Sequence, residues 1–463
     1  MESIDKVVKK IQDPVFNYIG LNQLLSDLLE TPEIQMLGHK KQLGLSYLVW
    51  PGAQHTRLMH SIEVSYLAKR IGRHLDLDSK EIALVQASGL LHDLGHGPFS
   101  HTLEEVFEKS TGKNHMEITV DMITGKEVIK YDEEPHYPTG KIPLILKKHG
   151  IDPEEVAKLI IGKHEKHHLQ SIISSELDAD QLAYLMADSH FTGERYGQVN
   201  IEQLISNMLL EEVEGKKKLC FSGDSLRVLE ELFFSRFQMY RVYTDKYGDI
   251  ADQMLIRATK KSLEIGENKD FQKYGDAEFL VKLLKSEDEY VKDMAKRIKY
   301  RTLFKIAYGI AVTGEKESPY LVARSSKKRD ELMNVISKHS EESLENKILE
   351  RIKEETGKDL TGYVLVKKYD DENTSSKPKI DGIGKIFIVR GDARTHDEDK
   401  IKIVQFKELD SKFLDFLRTF RTNPYDFAVL CPNEYVESVG NCANTIINKL
   451  KEDYNDKNGK PKE

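Results

Sequence analysis

The stretch Leu91-His92-Asp93-Leu94-Gly95-His96-Gly97-Pro98-Phe99-Ser100-His101 decides how the rest of the sequence is interpreted. It joins an apolar segment, residues 81–92, which has the spacing of an amphipathic helix, to a glycine-rich loop. Adjacent side chains diverge by about 100° on a helix. At a helix end, however, both His92 and Asp93 can face one metal ion, because the backbone is already leaving helical geometry.

Histidine is concentrated in the same part of the chain. Fourteen of the sixteen histidines lie within residues 39–190 of the 463 residues. Histidine is the commonest metal ligand and titrates near neutral pH, so this asymmetry predicts chemistry in the N-terminal half. The chain has only three cysteines, without C-x-x-C spacing. A metal site would therefore use His, Asp and Glu ligands, which suit Mn²⁺, Mg²⁺, Fe²⁺ or Zn²⁺.

The composition is that of a globular protein and argues against several classes. A formal charge of −8 is opposite to that of a generally basic nucleic-acid coat, so nucleic acid is not expected as the main partner. The N-terminus lacks the apolar core of a signal peptide, and no run approaches the ~20 apolar residues of a membrane span. The few cysteines indicate a reducing compartment. We therefore expect a cytoplasmic protein with no membrane partner.

Helical periodicity dominates residues 22–310, and after residue 318 short β-prone runs alternate with helices. The expected fold is mainly α: a large all-helical domain with one β-hairpin (209–214 and 218–221), followed by a small appended α+β domain. The expected division is an N-terminal segment (1–20), the helical domain (21–320), a regulatory or oligomerising α+β domain (321–451) and a disordered tail (452–463). The predicted helices include 60–75, 81–92, 154–162, 176–190, 224–247, 276–309 and 330–355.

Four residues form the candidate metal site. His60 opens one predicted helix, His92 and Asp93 end another, and Asp180 lies within a third. Two imidazoles and two carboxylates can hold one divalent ion and leave positions free for water and substrate oxygens. Because a His-Asp pair alone is common by chance, the metal site depends on the sequence that surrounds these residues.

These surroundings resemble the HD-domain phosphohydrolases, and more narrowly their deoxynucleoside triphosphate triphosphohydrolase (dNTPase) branch, the bacterial homologues of the vertebrate antiviral dNTPase. The resemblance is carried by residues 42–44, 49–61, 91–101, 172–180 and 192–197, and the stretch 91–101 is its most specific part. It implies that residues 21–320 form an HD phosphohydrolase domain. It also implies one divalent metal ion per site (Mn, Mg, Fe, Ni or Zn) and a homo-oligomer, either a dimer or a tetramer.

The resemblance assigns roles to individual residues. It implies that the metal ligands are His60, His92, Asp93 and Asp180. The implied catalytic residues are His115 as general acid, Glu117 as its orienting partner, and Asp93. The implied phosphate contacts are Arg57, His96, His101 and Arg236, and the implied deoxyribose contacts are Gln42, Tyr184 and Asp188. The implied reaction is attack of water at the α-phosphorus of a dNTP, which releases a deoxynucleoside and intact triphosphate. A triphosphate carries about four negative charges, so a metal and several cations are needed to neutralise it.

Two other functions remain open from the sequence. The same site can serve another nucleotide, such as a nucleoside monophosphate or a cyclic nucleotide, although Gln42, Tyr184 and Asp188 favour a deoxyribonucleotide. Alternatively, the chain is a non-catalytic nucleotide sensor or a protein that binds single-stranded nucleic acid. The intact set of metal ligands argues against a protein without activity, and the net negative charge argues against nucleic acid.

The chain also departs from the family pattern. The family often has a basic residue after the last metal ligand, whereas this chain has Gln181, so one phosphate contact is missing or is supplied by Arg236, Arg241 or Lys246. The Arg-Leu-Arg stretch that helps to read a guanine activator is replaced by residues 36–40. We therefore do not expect guanine activation in the known form, while Gln35 and Lys40 keep a regulatory nucleotide as a further partner.

Two other motifs are set aside. Residues 164–168 match the H-E-x-x-H signature of zinc proteases, which needs both histidines on one helix face. Gly162 precedes this polar stretch, and we predict a solvated loop instead. The Lys216-Lys217-Lys218 run is interpreted as a solvated hairpin turn.

Overall fold

Helices make up most of the structure, a computed structural model that describes residues 6–131, 139–311, 321–323, 327–369, 379–390, 402–419 and 425–457. The helices are α1 (Gln23–Leu29), α2 (Pro32–Gln35), α3 (Arg57–His74), α4 (Ser79–Leu91), α5 (Ser100–Thr111), α6 (His115–Thr124), α7 (Ile142–Lys148), α8 (Pro153–Ile160), α9 (His167–Ile173), α10 (Ala179–Thr192), α11 (Ile201–Ser206), α12 (Leu226–Tyr243), α13 (Lys246–Glu264), α14 (Asp276–Leu284), α15 (Glu289–Lys299), α16 (Lys327–Ile336), α17 (Glu341–Thr356), α18 (Ile380–Ile383), α19 (Phe406–Leu409), α20 (Ser411–Arg418) and α21 (Val436–Lys457). The strands are β1 (Lys9–Asp13), β2 (Asn17–Leu21), β3 (Met208–Val213), β4 (Lys216–Ser222), β5 (Lys305–Ala311), β6 (Leu321–Ala323), β7 (Leu365–Lys368), β8 (Phe387–Arg390), β9 (Lys402–Gln405) and β10 (Tyr425–Cys431). The mainly α class predicted from the sequence is confirmed.

The chain forms two compact units, and neither is continuous in sequence. The first comprises Met1–Val242, Leu263–Lys282 and Pro378–Phe420; the second comprises Tyr243–Ser262, Leu283–Lys377 and Arg421–Glu463. These limits differ from the division at residue 320 that composition suggested. A segment far along the chain returns to the first unit, which a change in composition along the sequence cannot reveal.

The first unit is built around α3, which packs against α4 and α10. A two-stranded antiparallel hairpin, β1 and β2, lies at its N-terminal end. The predicted hairpin is formed by β3 and β4, and it belongs to a four-stranded sheet in the order β3-β4-β8-β9. Strand β8 runs parallel to β4, and β9 is antiparallel to β8. The expectation of one hairpin was therefore incomplete, since the described residues contain β1–β2 and β8–β9 as well.

The second unit has its own sheet and its own core. The sheet order is β6-β5-β10-β7, with β6 parallel to β5 and the other pairs antiparallel. The helices α16, α17 and α21 supply apolar side chains that pack with those of the central strands β5 and β10. An α+β arrangement of this kind was expected for residues 321–451, but the described structure extends it backward to include α13, α15 and β5.

Three predicted helices are interrupted in the structure. The predicted helix 276–309 is α14, α15 and then the buried strand β5, because a short apolar run fits a buried strand as well as a helix. The predicted helix 330–355 is two helices, with Ser340 accepting a hydrogen bond from the N–H of Ser343 as the N-cap of α17. The predicted helix 224–247 divides after Tyr243. Helix α21 continues to Lys457, into the stretch predicted as tail.

Local signals set the start of the helices that carry the candidate site. Asp78 and Glu81 form the predicted capping box of α4. Thr56 accepts a hydrogen bond from the N–H of Met59 at the start of α3, and Asp178 accepts one from Gln181 at the start of α10. In the part of the chain that the structure describes, no helix combines the length and apolarity needed to cross a membrane.

Candidate active site

Glycine at position 89 permits the close crossing of α3 and α4 on which the site depends. A Cβ atom at Gly89 would lie 3.1 Å from the backbone of Ser65, so a larger residue would push the two helices apart. The crossing places His60 near the start of α3 beside His92 at the end of α4, with ring centroids 5.2 Å apart. The structure therefore brings together two predicted ligands that are 32 positions apart in sequence.

Three of the predicted metal ligands, His60, His92 and Asp93, have ligand atoms that all lie within 4.8 Å of one another. The fourth, Asp180 on α10, faces the same point. Its Oδ1 lies 2.9 Å from His60 Nε2 and 3.8 Å from His92 Nε2. His92 Nε2 is also 3.2 Å from Asp93 Oδ1. Two imidazole nitrogens and two carboxylate oxygens thus converge on one small volume.

This donor set fits a divalent metal ion. His92 Nδ1 contacts the carbonyl oxygen of Gly89 at 2.8 Å, an arrangement in which Nδ1–H donates and Nε2 keeps its lone pair. Among the described residues, His92 Nε2 is a buried nitrogen without a hydrogen-bond partner. A buried nitrogen of this kind costs free energy unless something ligates it. The residues His60, His92, Asp93 and Asp180 could therefore hold the ion that the sequence predicts.

The charges of the site favour ionised carboxylates. Burial alone would raise the pKa of Asp93, but His92, Arg57 and His96 outweigh it and hold that pKa well below its usual range. Burial also opposes ionisation of Asp180, yet the hydrogen bond from His60 lowers its pKa. The pKa of His92 is raised, because Asp93 and Asp180 outweigh the effect of burial. The ligand carboxylates are thus charged at neutral pH, as cation binding requires.

The candidate general acid His115 is the first residue of α6, and its Nδ1 contacts a carboxylate oxygen of Glu104 on α5. Gly95 allows α6 to approach the 91–101 loop, since a Cβ there would lie 2.1 Å from the His115 carbonyl oxygen. The His115 ring stacks on the His96 ring with centroids 4.1 Å apart. The pKa of Glu104 is lowered although burial opposes this, because the nearby His101 and His115 side chains favour the charged carboxylate.

The carboxylate that contacts His115 belongs to Glu104 and not to Glu117, the orienting partner that the resemblance implied. The carboxylate of Glu117 accepts the backbone N–H of Asn114 in a capping box, so it stabilises the start of α6 rather than orienting His115. The sequence held one signal for Glu104, which lies three residues after His101 on the same helix. That spacing alone does not show that the carboxylate reaches His115.

Two of the four predicted phosphate contacts, Arg57 and His96, lie next to Asp93. Arg57 donates from Nη1 to Asp93 Oδ2 at 2.7 Å and is almost fully buried. His96 Nε2 lies 3.3 Å from Asp93 Oδ1, and burial together with Arg57 holds the pKa of His96 well below its usual range. The side chain of His101 is 70% exposed and can meet a ligand from solvent. Arg236 is buried on α12 and donates from Nη1 to the carbonyl oxygen of Glu176.

The predicted sugar contacts are linked through His55, a residue that sequence reasoning missed. The backbone N–H of Gln42 donates to the carbonyl oxygen of His55 at 3.0 Å. The Nε2 atom of His55 lies 2.8 Å from Asp188 Oδ1, and both side chains are buried. Tyr184 is on the same helix as Asp188, one turn earlier, and burial raises the pKa of its hydroxyl. Gln42, Asp188 and Tyr184 are therefore held on connected elements.

The structure changes the interpretation of two residues considered for a regulatory nucleotide. Lys40 is 1% exposed, and its Nζ donates to the carbonyl oxygen of His96, so it is not available to a ligand in solvent. The side-chain amide of Gln35 donates to the carbonyl oxygen of Leu29. The H-E-x-x-H stretch does not form a zinc-protease helix, because α9 begins only at His167.

Two sequence families match the chain. The HD domain matches residues 57–205, and the HD associated region matches residues 199–368. The chain therefore contains an HD domain followed by an HD associated region. The two matched regions together include all four candidate metal ligands as well as His96, His115 and Arg236.

Individual proteins are also similar to large parts of the chain. An uncharacterized protein of Methanocaldococcus jannaschii is 31% identical over 64% of this chain and 59% of that protein. The deoxynucleoside triphosphate triphosphohydrolase SAMHD1 of Homo sapiens is 29% identical over 66% of this chain and 56% of that enzyme. The chain thus spans less than two thirds of these relatives. The crystal structure of a hypothetical protein from Aquifex aeolicus is 25% identical, covers 94% of this chain and 99% of that one, and has a TM-score of 0.66.

Proposed function

We propose that this HD-domain protein hydrolyses deoxynucleoside triphosphates to a deoxynucleoside and inorganic triphosphate. The observation that carries the proposal is the position of His96, whose ring stacks on His115 on one side and whose Nε2 approaches Asp93 on the other. The candidate proton donor and a candidate metal ligand thus both lie next to the same imidazole, where a bound phosphate ester would meet both. The similarity to SAMHD1 supports a deoxynucleotide as the substrate.

His60, His92, Asp93 and Asp180 would hold one divalent ion, with Mn, Mg, Fe, Ni and Zn as candidates. When bound, such an ion neutralises phosphate charge and lowers the pKa of water to about 7 in favourable sites. The carboxylates of Asp93 and Asp180 are ionised, and the contact of His92 Nδ1 with the Gly89 carbonyl leaves Nε2 as the atom that would ligate this ion.

His115 would supply the proton for the leaving group. The water oxygen bonds to the α-phosphorus and releases one proton to solvent, the bond from that phosphorus to the 5′-oxygen breaks, and the 5′-oxygen takes a proton from His115. Because Nδ1 faces Glu104, the proton comes from Nε2. The Glu104 carboxylate contacts Nδ1 and so orients the His115 ring. General acid catalysis of this kind contributes about 10²–10⁴ in rate.

Buried cationic groups support triphosphate binding. Among the described residues, Arg57 has two buried guanidinium nitrogens, Nε and Nη2, without hydrogen-bond partners, and Arg236 has one, Nε. Unpartnered charged donors are costly in a protein interior unless an anion satisfies them. Together with His96 and His101, these arginines would bind the phosphates. Gln42, Tyr184 and Asp188 would contact the deoxyribose.

The test is to incubate the purified full chain with each dNTP, singly and in pairs, in the presence of Mn²⁺ or Mg²⁺. We expect equal amounts of deoxynucleoside and inorganic triphosphate, identified by chromatography and phosphorus NMR. Release of pyrophosphate or monophosphate would instead indicate a different HD reaction. Turnover of only a nucleoside monophosphate or cyclic nucleotide would reassign the substrate, and no turnover at all would favour a non-catalytic nucleotide or single-strand binder.

Assembly and location belong to the same proposal. We expect a homo-oligomer of two or four subunits, which light scattering on the purified protein would measure. The three cysteines are free and buried, which agrees with the cytoplasm as the place of action.

A further inference from the structure

Lys40 is a buried lysine whose charge the proposed chemistry does not use. It is 1% exposed, and its Nζ donates to the carbonyl oxygen of His96 at 2.5 Å. Its backbone is also fixed, since its carbonyl oxygen accepts the N–H of Arg57 at 2.9 Å. Burying an ammonium group costs several kcal/mol unless its surroundings compensate. A lysine at such a buried position is therefore expected to have a specific role in the structure or the function of the site.

Asp276 connects the backbone next to Lys40 with the 91–101 loop near Phe99. One carboxylate oxygen of Asp276 accepts the N–H of Lys41 at 2.8 Å, and the other accepts the N–H of Phe99 at 2.7 Å. Lys40 and Asp276 thus hold two points of the 91–101 loop, at His96 and at Phe99. Their opposite charges also interact favourably in the buried surroundings.

The loop needs such support because its backbone is strained. Phe99 has φ of 50°, in the left-handed region that non-glycine residues rarely adopt because it is strained. Its side chain is buried, so the residue cannot relax into solvent. Two hydrogen bonds hold the loop in this conformation: Lys40 donates to the His96 carbonyl oxygen, and the N–H of Phe99 donates to Asp276. They oppose a change of Phe99 toward ordinary backbone angles.

We propose that Lys40 is a positioning residue for phosphate binding: its ammonium group fixes the His96 carbonyl and so places the His96 ring between Asp93 and His115. The inference rests on the proposed function, in which that ring contacts substrate phosphate. Lys40 contacts the loop from the protein interior and does not touch the substrate.

The experiment compares Lys40→Met, His96→Ala and the double variant in the full chain with Mn²⁺. Lys69→Met is the matched control, since Lys69 is also a buried lysine of the first unit. We expect K40M to keep its metal content and to raise the KM for a dNTP and the Kd for inorganic triphosphate about 10-fold, the size of one lost charge-assisted hydrogen bond. The Lys69 variant should leave both constants unchanged.

The double variant tests whether Lys40 acts through His96. If it does, K40M adds little to the KM of H96A, whereas independent effects would multiply. A loss of folded protein would lower the apparent kcat without raising KM, so it is distinguishable. Should K40M not fold, Lys40→Arg keeps a cationic donor and is expected to hold KM within about threefold of the original protein.

The outcomes separate the two proposals. If the original protein hydrolyses dNTPs and K40M has its KM, or if the effects of K40M and H96A multiply, the role of Lys40 is wrong and the proposed function stands. If no dNTP is hydrolysed, the proposed function fails. The positioning role of Lys40 is then tested by the affinity of K40M for inorganic triphosphate and by the NMR signals of its histidine rings. Unchanged His96 signals and unchanged triphosphate affinity in K40M would then overturn it.

Discussion

His55 Nε2 lies 2.8 Å from Asp188 Oδ1, and the two side chains are 0% and 2% exposed. The His55 ring also stacks on Phe191, with centroids 4.7 Å apart. The orientation of Asp188, a predicted sugar contact, is thus set by a residue more than 130 positions earlier. Contacts of this type fix how a binding side chain is presented to its ligand.

Replacement of His55 by alanine should weaken recognition of the sugar. Asp188 would lose a buried hydrogen bond, and we expect kcat/KM for dNTPs to fall about 10-fold with unchanged metal content. His149→Ala is the control, because His149 forms a similar pair with Asp27 away from the site, at 2.9 Å. Steady-state kinetics and metal analysis check this. Equal losses in both variants would show a general effect on folding.

Glu104→Gln should lower kcat without removing the metal. The amide cannot carry the negative charge that faces His115 Nδ1, so we expect a loss of about 10-fold or more. Glu105→Gln, one residue along α5 and paired with Lys109, should retain full activity. Glu117→Gln should mainly affect thermal stability, by about 1 kcal/mol or less, because Glu117 serves the capping box. Single-turnover rates and thermal unfolding distinguish these effects.

Replacing a metal ligand should have a different effect on metal content than replacing the general acid. His92→Ala and Asp180→Ala are expected to lose both bound metal and activity, since each takes away a donor of the converging group. His115→Ala should keep the metal and lose about 10²–10⁴ in rate. Metal analysis of each purified variant, beside its activity, provides the check. Loss of metal from the His115 variant would reject its role as acid.

Glu63 should make the stability of the protein depend on pH. Burial, with Asp13 and Asp188 nearby, raises the pKa of Glu63 from 4.5 to about 10. The folded state therefore holds a proton that the unfolded chain releases above its lower pKa. Stability is greatest below that lower pKa and falls as pH rises toward the folded pKa, by at most about 1.4 kcal/mol per pH unit.

Glu63→Gln removes this titration. We expect the variant to unfold at a higher temperature than the original protein at about pH 9, with a smaller difference at about pH 5. Glu105→Gln again provides an exposed control, which should follow the original protein across the range. Thermal unfolding in a series of buffers measures the effect. Parallel curves for the original protein and the Glu63 variant would refute it.

The residues of the candidate site could be named from sequence because they fall in short motifs with distinctive neighbours. Residues 91–101, the best example, contain His92, Asp93, His96 and His101 in one stretch. The structure adds the partners that come from elsewhere in the chain. Glu104, His55 and Lys40 act through contacts across a loop or between helices, and no local pattern indicates which carboxylate or carbonyl each side chain reaches.

The fold class followed from helical periodicity, whereas the division into units did not. Apolar spacing identifies amphipathic helices such as α3 and α4, because one face repeats every 3.6 residues. Strand β5 is buried almost throughout, so it carries no alternation by which to recognise it. Strand β8 pairs with β4 although about 165 residues separate them, and only the folded structure shows that pairing.

That pairing has a consequence for how the chain folds during synthesis. Strand β4 has one edge covered by β3 directly, but its other edge stays open until residues 387–390 have been made. Contacts so distant in sequence form late, and an open strand edge can pair with other chains in the meantime. A fragment that ends before Phe387 would keep every candidate catalytic residue and yet expose that edge. Aggregation during expression is therefore the first failure to expect from such fragments.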